Sequence, residues 1–454
     1  MQDMFVRSKG PRVVILITTN QVDDTLCYSV GSAHLSGLPV VVVGYKMRYR
    51  GFLSKFDFVT RAIENAELKP EDVIIAMDSG TIFTGADLNP FLDRFIAESA
   101  ASPEELDALA VRQGRAMAPV LISAEAGCWT PNIYETEITC KMGYESAYQQ
   151  VREYAAAHPE HELSLPFDLS PRRHLNAGSV IARVWAYKEL IAHKNKLMRM
   201  QKARYYAKYG WYCDQSIYAA LYLDLIAWEV KRDVFSMPMD ERQAARSCYG
   251  VRAGLYGIEY NGELSALHTI ALTHLSELHD ENWREYLRVY GLGLTHSQEL
   301  TDLKGMKRFV DDLYKRAYTA HGENIYTRLA VPRWVGGKTA TRETRITLTP
   351  PLLALKPKLI DTVNNNAICR TFPVVYHIAD LEQNFTKVQK MGLTSFGLRW
   401  FVPIVHDPKA KLRAMQYLAS APWFLSTHNA IIKGFYHAKC GFPFEKAIQQ
   451  AEDH

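Results

Sequence analysis

Three runs near the start of the chain, Val13–Thr18 (VVILIT), Pro39–Gly44 (PVVVVG) and Asp72–Met77 (DVIIAM), are apolar without alternation. A strand buried on both faces of a parallel sheet reads this way, whereas a half-exposed strand alternates. Between them, Asp23–Ser36 and Phe56–Ala66 are long enough for helices of a few turns and contain no proline. A fourth run, Pro119–Ser123 (PVLIS), follows an acidic helical stretch from Pro103 to Gln113. The β-α-β-α-β order predicts a doubly wound α/β unit, in which ligands bind beyond the C-terminal strand ends.

Leu175–Ala182 reads as a further strand, Val184 to about Tyr209 and Asp214–Ala227 as helices, and Asp233–Ser236 as a short strand. From about 237 to 365 the pattern turns helical (Ser265–Ser276, Glu285–Tyr290, Met306–Thr319) and then Gly/Thr/Pro-rich from Trp334 to Pro351. This stretch is expected to be an insertion or a mostly helical subdomain. Phe372–Tyr376 is strand-like again, ahead of a helical C-terminal tail. No repeat of 20 to 50 residues is visible, which argues against a solenoid.

Lys and Arg exceed Asp and Glu by only 4, so any polyanion-binding surface must be local. Seven scattered cysteines, an odd number without a CxxC pair, predict neither a disulfide framework nor a structural zinc site. The segment MQDMFVRSKGPR lacks the apolar core of a secretory signal, and the apolar run Leu38 to Gly44 is too short to cross a bilayer. The expectation is a soluble protein of a reducing compartment, cytoplasmic or nuclear (host cytoplasm if phage-encoded), without a membrane partner.

Chemistry is expected where strands end. Asp72–Met77 runs into Asp78-Ser79-Gly80: a carboxylate suits Mg2+ or Mn2+, and glycine lets phosphates approach the backbone, although a capping Asp in an ordinary turn would read the same way. Pro119–Ser123 runs into Ala124-Glu125-Ala126-Gly127-Cys128-Trp129, one acid and one tryptophan in a small-residue turn fit to line a sugar pocket. Leu175-Asn176-Ala177-Gly178-Ser179 opens a strand with an amide and small residues. Cys213-Asp214-Gln215 opens a helix with a carboxylate that is either an N-cap or a substrate contact.

In this order, the segments resemble the nucleotide-sugar glycosyltransferase domain of the procollagen lysyl hydroxylase and collagen glycosyltransferase family. The kinetoplastid base J glucosyltransferases, which glucosylate a hydroxymethylated pyrimidine in DNA, look like relatives. The resemblance spans about residues 11 to 235 and 371 to 380. It includes Thr18-Thr19 at the end of the first strand, the loop from Gly44 to Arg50-Gly51, Asp78-Ser79, Ser123-Ala124-Glu125, Cys128-Trp129, Leu175-Asn176-Ala177-Gly178 and Asp214-Gln215. It implies a GT-A fold, a Rossmann-like α/β arrangement with a mixed, mostly parallel sheet, that binds a UDP-sugar through Mn2+ or Mg2+. The implied organisation is a core at 1–236, a mostly helical insertion at 237–365, and a return to the core with a helical tail at 366–454.

The resemblance also assigns roles. Asp78 takes the first metal-binding position, and Thr81 stands where the family has a second acid. His377, in Thr371-Phe372-Pro373-Val374-Val375-Tyr376-His377, takes the late metal position, with Ile378-Ala379-Asp380 in place of Gly-Asn-Gly. Asp214 matches an acid expected to contact the donor sugar or act as catalytic carboxylate, with Glu125 as a second catalytic candidate. Donor contacts are expected from Thr18, Thr19, Lys55, Asp78, Ser79, Asn176, Gly178 and Gln215. A carboxylate taking the acceptor's proton and a metal neutralising the departing UDP would serve the transfer.

The helix before Asp214 is basic and aromatic, with Lys194, Lys196, Arg199, Lys202, Arg204, Tyr205, Tyr206, Lys208 and Tyr209. It reads as a solvated face or as a surface drawing in a polyanion. Arg333 to Arg345 is a second basic stretch. Without a signal peptide or disulfide pattern, secreted collagen is a poor acceptor. The expected partner is double-stranded DNA with hydroxymethylated bases, whose hydroxymethyl group lies in the major groove or is reached by flipping. The alternatives are transfer to a protein hydroxyl or glycan, and an inactive UDP-sugar- or DNA-binding module.

Overall fold

The computed structural model describes residues 2–6, 8, 10–83, 88–109, 117–125, 127–163, 165–169, 173–209, 212–260, 264–268, 375–378 and 408–443. The strands are β1 (Val13–Thr18), β2 (Val40–Val43), β3 (Val73–Asp78), β4 (Thr81–Phe83), β5 (Val120–Glu125), β6 (His174–Arg183), β7 (Tyr256–Glu259), β8 (Ser265–His268), β9 (Val375–Ile378), β10 (Pro422–Ser426) and β11 (Ile431–Phe435). The helices are α1 (Asp24–Leu35), α2 (Ser54–Asn65), α3 (Asn89–Glu98), α4 (Pro103–Leu109), α5 (Glu137–Ala157), α6 (Pro166–Leu169), α7 (Val184–Tyr209), α8 (Asp214–Lys231), α9 (Met239–Ala244), α10 (Pro408–Ser420) and α11 (His437–Cys440).

Eight strands form one mixed, mostly parallel sheet in the order β11-β10-β2-β1-β3-β6-β5-β7. Strands β10, β2, β1 and β3 run parallel; β6 runs against both β3 and β5, and β11 against β10. The continuous apolar runs follow from burial on both faces. Val13, Ile15 and Ile17 of β1 pack with α1, α3 and α10, whereas Val14 and Leu16 pack with α2, α5, α7 and α8. The result is a Rossmann-like α/β fold. A smaller sheet, β4-β9-β8, carries His377 in register with Thr81.

Local chemistry explains the helix starts. The Asp23 carboxylate accepts from the Leu26 amide to cap α1, and Thr136 with Thr139 forms a capping box on α5. Gly44, at φ 94°, turns the chain off β2 against the Phe58 ring, where any side chain would be strained.

Several expectations are corrected. Asp233–Ser236 is a turn and not a strand, with Asp233 in the left-handed region at φ 49°, which short polar residues tolerate. Ser265–His268, read as the start of a helix, is a strand because it pairs with β9, a partner that local periodicity cannot reveal. The C-terminal tail is helical at α10 and α11, but a hairpin between them adds two strands to the large sheet. Two strands, β7 and β8, fall inside 237–365. The rest of that range beyond 268, including Glu285–Tyr290, Met306–Thr319 and the basic Arg333 to Arg345, lies outside the described residues.

The cysteine expectation is also corrected. Cys27 of α1 is bonded to Cys440 of α11, and Cys128 to Cys140. The first pair is 413 residues apart, so only the folding of the tail onto the sheet edge brings it together. Disulfides belong with oxidising surroundings, which runs against the expected reducing compartment. Among the described residues no helix is long and apolar enough to cross a membrane.

Candidate functional site

Parallel pairing sets the site. Thr18 and Asp78 end adjacent strands as register partners, so their side chains meet at the C-terminal ends of the central strands. The Thr18 hydroxyl lies 3.1 Å from the Met77 carbonyl oxygen and 3.2 Å from Asp78 Oδ1. From α2, Lys55 Nζ reaches both oxygens of Asp78 at 2.7 and 2.8 Å and Asp214 Oδ2 at 3.1 Å. Asp214 sits in the first turn of α8, where helix N-terminal amides favour a carboxylate; its Oδ1 accepts from the Gln215 amide at 3.0 Å. His377 Nε2 stands 3.7 Å from Asp78 Oδ2.

Burial pushes the Asp78 carboxyl up, but the charge of Lys55, with hydrogen bonds from Lys55 and Thr18, outweighs it and holds the group below its ordinary range. Asp214 goes the other way: burial and the Asp78 charge raise it against the pull of Lys55. Burial opposes the charge on Lys55, yet Asp214 and Asp78 together keep it an ammonium. His377 is lowered to about 4 by burial, partly opposed by Asp78. The site therefore holds one ammonium between Asp78 and Asp214, with a neutral imidazole alongside.

Thr18, Lys55, Asp78 and Asp214 open onto a small cleft of about 20 Å3, room for roughly one water molecule. These four supply its polar wall, and Phe56, Val59, Met77, Val180, Tyr187 and Tyr218 most of the remainder. Tyr187 and Tyr218 were not expected from the sequence. Tyr218 had a signal, since it lies four residues after Asp214 and hence on the same helix face.

A second network adjoins the first. Gln215 Nε2 donates to Glu125 Oε1 at 2.6 Å and to the Trp129 carbonyl at 2.8 Å, while its Oε1 accepts from Asn176 Nδ2 at 3.3 Å and from the Ala177 amide at 3.1 Å. The Gly178 amide donates to Asn176 Oδ1 at 2.8 Å. Burial raises Glu125 to about 8 against its bonds from Gln215 and Asn176, so the side chain is a neutral acid at pH 7. Its geometry is that of a buried support for Gln215 and the Trp129 turn. Trp129 itself is half-exposed at 51%.

The Glu125 shift has a measurable consequence. The unfolded chain ionises this carboxyl near 4.5 while the fold holds it protonated to about 8, so its stabilising contribution is complete below the lower value and lost as pH rises through the higher one. Glu125→Gln, which keeps the oxygen acceptor, is expected to flatten the fall in melting temperature between pH 5 and 8. Glu229, buried and raised to about 7, leaves a shallower residual slope. Melting curves across that range check it.

The other expected residues divide. Gly178 leaves room for the His377 ring, because a Cβ there would overlap the imidazole. The Thr19 hydroxyl turns to the Gln21 carbonyl at 3.2 Å and joins neither network. Ser79 is buried, and its hydroxyl, those of Thr81 and Ser179, and Nδ1 of His377 have no hydrogen-bond partner. Buried polar atoms are rarely orphaned, so four at neighbouring positions point to a polar occupant. Separately, a carboxylate and an imidazole 3.7 Å apart are ligand types that a divalent cation accepts, so Asp78 and His377 fit one in kind.

On α7, Lys194 is half-buried with Nζ 5.0 Å from the centre of the Phe56 ring, and burial lowers its pKa. Lys196 is half-buried near Gly250, and Arg199 is exposed. Of Lys202 and Arg204 only the helical backbone is described. Elsewhere, His158, Glu160 and His161 place their ligand atoms within 4.8 Å of one another, a cluster able in principle to hold a divalent ion. No protein-family model matches the chain, and no curated protein sequence matches it.

Proposed function

We propose that the chain is a metal-dependent glycosyltransferase of the GT-A type. It moves a hexose, glucose as first choice, from a UDP-sugar to a hydroxyl, best assigned to the hydroxymethyl group of a modified pyrimidine in duplex DNA. In this reading residues 1–236 are the nucleotide-sugar core, 237–365 an accessory insertion, and 366–454 the return to the core.

The observation that carries it is the meeting of Asp78, Lys55, Asp214 and His377, from four separate elements, at one end of the parallel strands. Asp78 and His377 would hold Mn2+ or Mg2+, which supplies positive charge against the departing diphosphate. Lys55, already between the carboxylates, is placed to turn to that diphosphate. Asp214, its pKa raised by burial and by Asp78, is suited to accept the acceptor's proton as the new oxygen–carbon bond forms and the sugar–diphosphate bond breaks. Thr18 and Ser79 line the donor end, and Gln215, Asn176 and Glu125 fix the floor under the sugar. Lys194, Lys196, Arg199, Lys202 and Arg204 would meet the DNA backbone.

The disulfides favour a second acceptor. Cross-linked proteins belong with oxidising surroundings, where a protein hydroxyl or glycan is a more accessible substrate than DNA. Incubation with Mn2+, a panel of UDP-sugars, and either hydroxymethylated DNA or hydroxyl-bearing peptides and glycans separates the two, with mass analysis of each product. Asp78→Asn is expected to abolish both transfer and Mn2+-dependent UDP-sugar hydrolysis. A parent protein that neither transfers nor hydrolyses any donor overturns the enzyme and leaves an inactive UDP-sugar- or DNA-binding module.

A further inference from the structure

A second group of metal-ligand side chains lies far from the cleft. Helix α5 ends at Ala157 and is capped by His158, and Pro159 begins a single 3-10 turn, Pro159–His161, that closes at Glu162 in the left-handed region, φ 48°. This tight reversal brings three side chains of four consecutive residues together. Glu160 Oε1 is 3.1 Å from His158 Nδ1 and 3.9 Å from His161 Nε2, and all three ligand atoms lie within 4.8 Å of one another. Zinc bonds of roughly 2.0–2.1 Å in a tetrahedron place neighbouring donors about 3.3 Å apart, and the observed spacings bracket that value.

The two imidazoles are held by more than the turn. Tyr154 stacks on His158 at 4.4 Å and lies parallel to His161 at 6.0 Å. The Tyr154 hydroxyl is bonded to the Asp233 carboxylate, and Ser236 Oγ is 3.2 Å from His161 Nε2. The loop following α8 thus supports a cluster built by the turn following α5. The first turn of α8 carries Asp214, and 18 residues of helix at 1.5 Å each separate the two ends by about 27 Å.

We propose that His158, Glu160 and His161 form a second, independent site for a borderline divalent cation, best represented by Zn2+, in the turn after α5, where the ion takes His161 Nε2 in exchange for its contact with Ser236. Two imidazoles and one carboxylate select Zn2+ over the hard cations suited to the all-oxygen chemistry of a diphosphate. The site does not depend on what the cleft binds.

Calorimetric titration of the metal-free protein with Zn2+ tests it, run beside Asp78→Asn to account for any uptake in the cleft. The expected result is one Zn2+ bound by Asp78→Asn, with affinity falling by on the order of tenfold or more in Glu160→Gln and further in His158→Ala/His161→Ala. In the Asp78→Asn background the melting temperature should rise with Zn2+, and it should stay flat once His158 and His161 are also replaced by Ala. Zn2+ binding weaker than about 1 mM in the parent, or binding lost in Asp78→Asn and unchanged in the histidine variant, overturns the proposal. Glu160 is 61% exposed in its side chain, so its variant leaves the fold intact and remains informative if the double variant is poorly expressed.

Discussion

Lys55→Met destabilises the fold by about 3–5 kcal/mol, the cost of removing one partner from a buried ion pair. The size follows from geometry: one ammonium serves two carboxylates, at 2.7 and 3.1 Å, and its loss leaves both in a site where Asp214 is almost fully covered. The reverse change is milder. Asp78→Asn keeps Lys55 paired with Asp214, so the truncation costs less although the same interaction is broken. Adding Asp214→Asn to Lys55→Met should recover most of the loss, since a buried neutral amide is cheaper than an unpaired carboxylate. Urea midpoints at constant m-value read the effect. If the carboxylates also hold a divalent cation, Mn2+ should stabilise Lys55→Met more than the parent, because the site then lacks its resident positive charge. A Lys55→Met protein as stable as the parent would mean that the lysine is solvated and the carboxylates carry no mutual strain.

Much of this site was legible in the chain because strand ends are legible. Val13–Thr18 and Asp72–Met77 announce two buried parallel strands with chemistry at their ends, whereas the pairing that puts Thr18 beside Asp78 depends on the sheet order. Asp214 at a helix start and His377 after a late strand are also readable as positions. The role of Lys55 is not, since nothing in its local sequence tells an ammonium between two carboxylates from one on the surface. Glu125 is a similar case. Its place after β5 is visible, but its enclosure by Gln215 and Asn176, which keeps it a neutral acid, depends on three elements meeting. Non-local pairing hid the rest. The antiparallel direction of β6, the strand character of Ser265–His268, the C-terminal hairpin and the Cys27–Cys440 bond each depend on partners remote in the chain.

Gly178 gives the second large effect, and it tests the placement of His377 from the opposite side. The imidazole rests where a side chain at 178 would be, and at 6% exposure it is enclosed by its neighbours. Gly178→Ala must push the ring from Asp78 or strain β6 against β9, and overpacking of this kind costs about 1–3 kcal/mol. A backbone preference of glycine alone would predict otherwise, since alanine in a strand interior is ordinarily no worse than glycine. The direction of the change therefore reports on His377. In Gly178→Ala/His377→Ala the methyl enters the space the ring has left, so the double variant should be more stable than the sum of the single changes, with a coupling of about 1 kcal/mol or more. If the cleft takes up a metal as proposed, that uptake should not return with the stability, because the imidazole is gone in one variant and displaced in the other. A Gly178→Ala protein that melts with the parent and couples to nothing at 377 would show that β9 does not pair with β4 in the register that sets His377 beside Asp78.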